Sequence, residues 1–494
     1  MQLGLGWKLH GNGSTPPPGE VVRPEERLSW ARTAGIGAQH VVAMFGATFV
    51  FPLIMGLDPN LAIMMSGVAT VVFLLVVQGR VPSYLGTSAA FVGAVVAIRG
   101  AGGDTATVTG AILVAGGVLA LVGVVVHVLG GQVVNRVLPP VVTGAVVLLI
   151  GFNLAPVVAD IYWPQDQWVA LATMAFVLVA TVVLRGFWAR ISILLGLIFG
   201  FLLSWLLDAT TGQITSVLPG QNDGQPFAHD RVSLDAVSSA PWVGLPELTA
   251  PSFELSAILL VLPAVIALLA ENAGHVKAVA AMTEDDLDPY MGRAFIGDGL
   301  GTMLASSVGG APTTTYAENI GVMAATRVYS TAAYYVAAAV AVAFGLCPKF
   351  GALVAAVPGG VLGGITVVLY GMIGLLGAKI WIENRVDFSN PVNMVSVAAG
   401  VIIAIGNTTL VVTDDFQLQG IALGTLVVLV SYHVLHAVAP AHLRDAPAGR
   451  VGGRDEVSYG EVGFDRQGRR DGDLATPPGR GTGSALLPED PTRR

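Results

Sequence analysis

The stretch Thr313–Arg327, TTTYAENIGVMAATR, follows Gly309-Gly310-Ala311-Pro312 in a chain that is otherwise almost continuously apolar. Three threonines, a tyrosine and the adjacent Glu318 and Asn319 are too polar for an ordinary membrane helix. Their surroundings are too apolar for a soluble loop. With 53% hydrophobic and 12% charged residues, a 494-residue chain lacks the polar surface that a soluble domain needs to cover its core. Apolar runs of about twenty residues recur, each long enough to cross ~30 Å of hydrocarbon as a helix. The chain reads as an all-α polytopic membrane protein, and 313–327 as a break built into one span.

Working outward from that break, spans are expected near 35–55, 59–78, 84–98, 106–130, 138–158, 166–184, 188–208, 255–276, 292–310, 314–327, 330–347, 357–376, 391–411 and 417–437. The third and tenth of these fourteen are short and polar. With the N-terminus in the cytoplasm, inward loops carry Arg80, Arg136, Arg185, Arg190, Lys277, Arg293, Arg327, Lys379 and Arg385. Outward loops carry only Arg99, Arg231 and Lys349. The positive-inside rule favours this arrangement, and losing either odd span would invert everything after it.

Fourteen spans divide into two sevens, and an odd repeat is inverted relative to its twin. Leu138-Pro139-Pro140 opens the fifth span as Val357-Pro358-Gly359 opens the twelfth, and VPSYLGTSAAF (81–91) corresponds to APTTTYAEN (311–319). Inverted repeats with broken helices at matching positions point to the binding site of a secondary transporter. Non-helical backbone at that depth is tolerated only inside protein or along a watery cavity. Residues 82–89 and 312–317 are therefore expected as short β-strands able to pair, each leading into a half-helix. The free N–H groups and partial positive charge of such half-helices would face a polar ligand.

Charges inside spans are costly, by ~3 kcal/mol or more at the centre, and so mark candidate functional groups. Glu318 opens the second half-helix, with Asn319 beside it. Glu271, in LPAVIALLAENAGHVKAV, is the other carboxylate, and His275 lies one turn later on the same face. Asp298 of the ninth span and His40 of the first are expected as supporting hydrogen-bond partners. Two carboxylates and an amide, beside small residues such as Ala47, Gly86 and Ala89, suit a flat ligand with several N–H donors. A carboxylate there is also a natural proton carrier, because its charge is costly.

Other classes are weakly supported. Acidic residues cluster in loops and in the C-terminal tail, so the net charge of −8 identifies no partner, nucleic acid included. The single cysteine, Cys347, excludes an internal disulfide, and no metal or cofactor site is expected. No HExxH or GxSxG motif suggests an enzyme. An anion channel or exchanger of the same architecture is disfavoured by Glu318 at a half-helix N-terminus. The first 33 residues, which lack a cleavable-signal pattern, and residues 439–494 are expected as disordered cytoplasmic arms around one membrane domain, 34–438.

The run Glu318-Asn319-Ile320-Gly321 with Thr326-Arg327 resembles the signature of the nucleobase–ascorbate transporter family, an acidic or amide residue followed by N-x-G-x-x-x-x-T-R. TTTYAENIGVMAATRVYS (313–330), QHVVAMFGATFVFP (39–52), VPSYLGTSAAF (81–91) and AENAGH (270–275) are similar to stretches of bacterial uracil permeases. The matches run from about residue 35 to 437. The resemblance implies fourteen helices in inverted sevens, with a core of spans 1–4 and 8–11 and a gate of spans 5–7 and 12–14. It implies a homodimer in the cytoplasmic membrane that imports uracil or a related nucleobase with protons, by an elevator-like movement. By position, Glu271 and Glu318 would bind the base, and Ala317 and Ala89 would offer backbone N–H groups. Tyr316 and Ala47 would line the pocket, while His275 and Asp298 would join the proton-linked network. An acid at 318 looks like the pyrimidine branch; xanthine and urate carriers commonly have Gln there. Ala89 departs from the Phe of uracil permeases, so Phe91 is the candidate replacement wall, and a purine carrier is the alternative.

Overall fold

The computed structural model describes residues 6–14, 16, 20–218, 221–413 and 416–444. Its long helices are α1 (Trp30–Met55), α2 (Pro59–Val76), α4 (Thr105–Leu129), α7 (Ser192–Thr211), α9 (Ala264–Thr283), α14 (Gly359–Glu383) and α16 (Gly420–Val438). Shorter ones are α3 (Val92–Gly100), α5 (Pro140–Phe152), α6 (Gln167–Val183), α8 (Leu255–Val261), α10 (Met291–Ser306), α11 (Ala317–Thr326), α12 (Thr331–Gly345), α13 (Pro348–Ala355) and α15 (Pro391–Ile405). Helix starts follow local chemistry. Asp58, Asp104, Asp166 and Asn390 each accept a backbone N–H of the first turn, and Pro59 and Pro391 occupy positions where no N–H is needed.

Among the described residues, eight helices are long and apolar enough to cross a membrane. The count is nine when α12 and α13, bent by 81°, form one span. The protein is therefore a mostly helical, multi-pass membrane protein. Two helix groups pack internally: α4 and α2 on α10, with α1 and α2 on α12; then α5 and α6 on α14, with α15 on α16. Glycines set the closest crossings. A Cβ on Gly299 of α10 would lie 2.5 Å from the Ala120 amide of α4, and one on Gly151 of α5 would lie 2.3 Å from the Gly374 amide of α14. At that spacing the backbones touch without intervening side chains, as small-residue membrane interfaces permit.

Between the long helices lie two broken segments. The first is β3 (Leu85–Thr87), a 3₁₀ turn at Ala89–Phe91, and α3; the second is β6 (Thr313–Thr315) followed by α11. The strands pair antiparallel, Leu85 with Thr315, Gly86 with Thr314 and Thr87 with Thr313. Ser88 N–H donating to Pro312 O (2.9 Å) and Tyr316 N–H to Tyr84 O (3.1 Å) extend the ladder at both ends. The pairing satisfies backbone groups that are buried along both strands.

The N-terminal arm departs from the expected disorder. β1 (Lys8–Leu9) pairs with β2 (Glu26–Arg27), and Val22 bridges Val328 in the turn between α11 and α12. Trp7 Nε1 donates to Thr331 Oγ1 at 2.8 Å, and Val22, Leu28 and Val328 form a small apolar cluster. The partners lie some three hundred residues away, which a local reading of Pro and Gly content does not reveal. The tail predicted at 439–494 lies, from residue 445 on, outside the described residues.

The segment after α7 forms a strap, with a hairpin of β4 (Ile214–Ser216) and β5 (Phe227–His229). Arg231 reaches Asp166 at the start of α6 (2.7 Å) and Asp208 near the end of α7 (3.1 Å). Farther along, Lys349 of α13 donates to the Val237 carbonyl at 2.7 Å and sits over the Trp242 ring. The two last strands, β7 (Thr409–Thr413) and β8 (Phe416–Gln419), pair as a hairpin ahead of α16.

Candidate substrate site

α9 packs against α11, the 3₁₀ turn at Ala89 and β6, which brings the predicted site residues into one region. Glu271 and Glu318 lie close enough for their charges to repel, and both are within electrostatic reach of Tyr316. Glu318 is exposed although surrounded by helices, and Glu271, His275, Ala317 and Ala89 are half-buried. These five residues keep accessible surface where α9, α11 and the 3₁₀ turn at Ala89 meet. From Glu318 the exposed face of α11 continues through Gly321 and Ala325, and from Glu271 that of α9 continues through Gly274, Ala278 and Ala281. Nothing comes within 4 Å of a Cβ built on Gly274 or Gly321, so the space above both helices is open.

The other predicted residues are buried. Tyr316, 5% exposed, occupies the cap position of α11, yet its side chain does not cap that helix. Its hydroxyl donates to Thr87 O at 2.6 Å, across to the first broken segment. A Cβ on Gly86 would lie 2.4 Å from the Tyr316 ring, so only glycine admits the ring over β3. Ala47 is 7% exposed, and Phe91, expected as a replacement pocket wall, is fully buried in the apolar core with no accessible face.

His40 and Asn319 form a pair. The Asn319 amide donates to both Nδ1 and the carbonyl of His40, each at 3.1 Å. His40 Nδ1 is thereby an acceptor, and the ring lies against Tyr334 with centroids 4.4 Å apart. Each threonine of β6 has a side-chain partner of its own. Thr302 donates to Thr313 O (2.9 Å), Thr314 to Asp298 Oδ2 (3.4 Å) and Thr315 to Asn272 Oδ1 (3.0 Å). The Asn272 amide in turn donates to Asp298 Oδ2, and His275 Nδ1 lies 2.8 Å from Thr315 Oγ1.

Three residues in this arrangement escape a sequence reading. Asn272 and Thr315 sit inside stretches already singled out, but nothing local reveals that they bond each other. Tyr370 of α14 stacks on Phe51 of α1 at 6.2 Å, where the two helix groups meet, and its buried hydroxyl has no partner among the described residues. Its signal is faint: a lone tyrosine in the apolar run ITVVLYGMIG.

Two paired broken helices, one opening with a carboxylate and set beside a second carboxylate on α9, are the arrangement of a membrane permease. The sequence profile of the Permease family matches residues 32–413. The chain belongs to the nucleobase–ascorbate transporter family. It is 44% identical over 90% of its length to the Escherichia coli K12 protein named "Putative pyrimidine permease RutG", covering 97% of that protein. It is 35% identical to the uracil permease of Bacillus caldolyticus, covering 82% of this chain and 93% of that one. Among solved structures, the murine anion transporter Slc26a9 in its inward-facing state has a TM-score of 0.60 at 10% identity, over 84% of this chain and 70% of that one. The transmembrane domain of the cyanobacterial bicarbonate transporter BicA has a TM-score of 0.52 at 14% identity, over 81% of this chain and 96% of that one. These two likenesses concern the fold alone.

Proposed function

We propose that this permease is a proton-coupled symporter that imports uracil or a closely related nucleobase across the cytoplasmic membrane. The observation that carries the reading is the placement of Glu271 and Glu318, both with accessible surface and close enough for their charges to repel, beside the half-helix that starts at Ala317. Two carboxylates that repel each other are eased by a ligand offering N–H donors, or by a proton. A base and a proton that stabilise the same state then drive each other's movement. The names of the relatives support a pyrimidine substrate.

In this reading the chain has fourteen spans in two inverted sevens. The core group carries the base and slides against the gate group like an elevator, in a homodimer with both termini in the cytoplasm. Ala47, Ala89, Ala317 and Tyr316 surround the base; His40, Asn272, Asn319 and Asp298 hold the half-helices. Glu271→Gln in proteoliposomes under an inward proton gradient should reduce uracil accumulation to background, while normal accumulation would overturn the mechanism. A second reading, a broader carrier that also takes purines, is favoured by the small, half-buried Ala89. Competition of labelled uracil by unlabelled xanthine separates the two.

A further inference from the structure

Asn272 is fully buried, one residue beyond Glu271, and its side chain links α10 to β6. The directions of its hydrogen bonds are constrained. Its Nδ2 donates to Asp298, so its Oδ1 faces Thr315 and accepts that hydroxyl's only proton. With its proton committed, Thr315 can only accept from His275 Nδ1, 2.8 Å away. His275 therefore carries its proton on Nδ1 and keeps Nε2 as an acceptor. Every donor in this row points from His275 toward Asp298, and the row requires Asp298 to accept.

We propose that Asn272 is a positioning residue that translates the protonation of Asp298 into the tautomer of His275. Asp298 Oδ1 has no partner among the described residues, which leaves the ion short of a hydrogen bond on that side. When a proton binds Oδ2, that oxygen becomes a donor and the amide turns over. Asn272 Oδ1 then accepts from Asp298, Nδ2 donates to Thr315 Oγ1, and the Thr315 hydroxyl turns to donate to His275 Nδ1. The imidazole now carries its proton on Nε2, and the half-buried ring changes from acceptor to donor at that atom. No proton crosses the amide. The net uptake is one proton on Asp298, and the imidazole exchanges one proton for another with water.

The ionisable groups around the row are few. Glu271 is on α9, and Glu318 and Tyr316 are at the start of α11. Arg293 and Lys277 lie on α10 and α9 themselves. Of the other helices packed against α9 and α10, α2 and α5 carry no titratable side chain and α4 only His127, in its last turn. α16 carries Tyr432, His433 and His436, toward its C-terminal end.

The inference rests on the proton-coupled reading of this site, and its test does not depend on transport. Protein labelled with ¹⁵N-histidine in nanodiscs is titrated from alkaline to mildly acidic pH, with the His275 signals assigned by loss in His275→Gln. The expected result is an Nδ1–H imidazole at alkaline pH that converts to Nε2–H on acidification. The conversion should vanish in Asp298→Asn and in Asn272→Leu. An Nε2–H ring in the alkaline wild type overturns the proposal, as does an unchanged conversion in either variant. If Asn272→Leu does not fold, Thr315→Val breaks the same row and carries the same expectation. A tautomer change without proton-driven uptake would leave the relay standing and remove the symport reading; coupled uptake with a fixed tautomer would do the reverse.

Discussion

The two broken segments share a plan and differ in chemistry. In the first, Ser88 Oγ accepts the Ala90 amide at 3.3 Å and closes its own turn, and no titratable side chain follows until Arg99. In the second, the capping position belongs to Tyr316, whose hydroxyl leaves to bind Thr87, so the first turn of α11 has no side-chain cap. Glu318 stands in that turn. One segment closes its own turn. The other keeps its end open and borrows its order from its twin. On similar geometry only the second segment brings a carboxylate, and in the proposed reading the first contributes to the site through Ala89 alone.

The strongest test of that division is Gly86→Ala, which sets a methyl group against the Tyr316 ring and Thr48. The ring must move, taking the start of α11 with it, and uptake should fall by roughly tenfold or more, as misplaced binding groups usually cost. Unchanged uptake with the Tyr316–Thr87 bond intact would show that the halves do not depend on each other. Next, Tyr316→Phe leaves a buried Thr87 carbonyl short of a partner. It should destabilise the protein by about 1–3 kcal/mol in thermal unfolding, with a larger loss of ligand-induced stabilisation than Ser88→Ala shows. Ser88→Ala should cost only about 1 kcal/mol, the usual value of an N-cap, and leave ligand affinity near wild type. A strong affinity defect there would mean that the first segment contributes to binding through more than Ala89.

The smallest effect is expected just beyond α3, at Asp104, which caps α4. The Thr107 amide, then its hydroxyl, hold the Asp104 carboxyl below the usual carboxylate range. A depressed pKa contributes stability above the unfolded pKa and loses it as pH falls through the folded value. Asp104→Ala should therefore lower the melting temperature slightly at neutral pH and hardly at all in acid.

How much of this was legible in the sequence depends on how local its cause is. The break at 312–319 shows because Pro, three Thr and a Glu interrupt an apolar pattern, and the pairing with 85–87 follows from backbone groups that hydrocarbon cannot satisfy. Glu271 and Glu318 were visible as rare intramembrane charges, and His275 as a neighbour one turn away. The destination of the Tyr316 hydroxyl, the His40–Asn319 pair and the row through Asn272 were not. Each joins residues that are distant in sequence or buried in an apolar setting, and a side chain's donor direction has no sequence signature. The order of the N-terminal arm was hidden for the same reason: Val22 and Trp7 are fixed by the α11–α12 turn, not by their neighbours.

The strap after α7 also acts as a ruler. It is fastened to α6 and α7 through Arg231 and to α13 through Lys349 at Val237. Only the short run between Arg231 and Val237 separates the two fastenings, and six residues of chain reach at most about 20 Å when fully extended. While both hold, that length caps how far α13 can travel from the ends of α6 and α7. Under the proposed movement a longer stroke requires one fastening to let go, so the spacing of the Arg231 and Lys349 anchors limits the distance a cargo is carried.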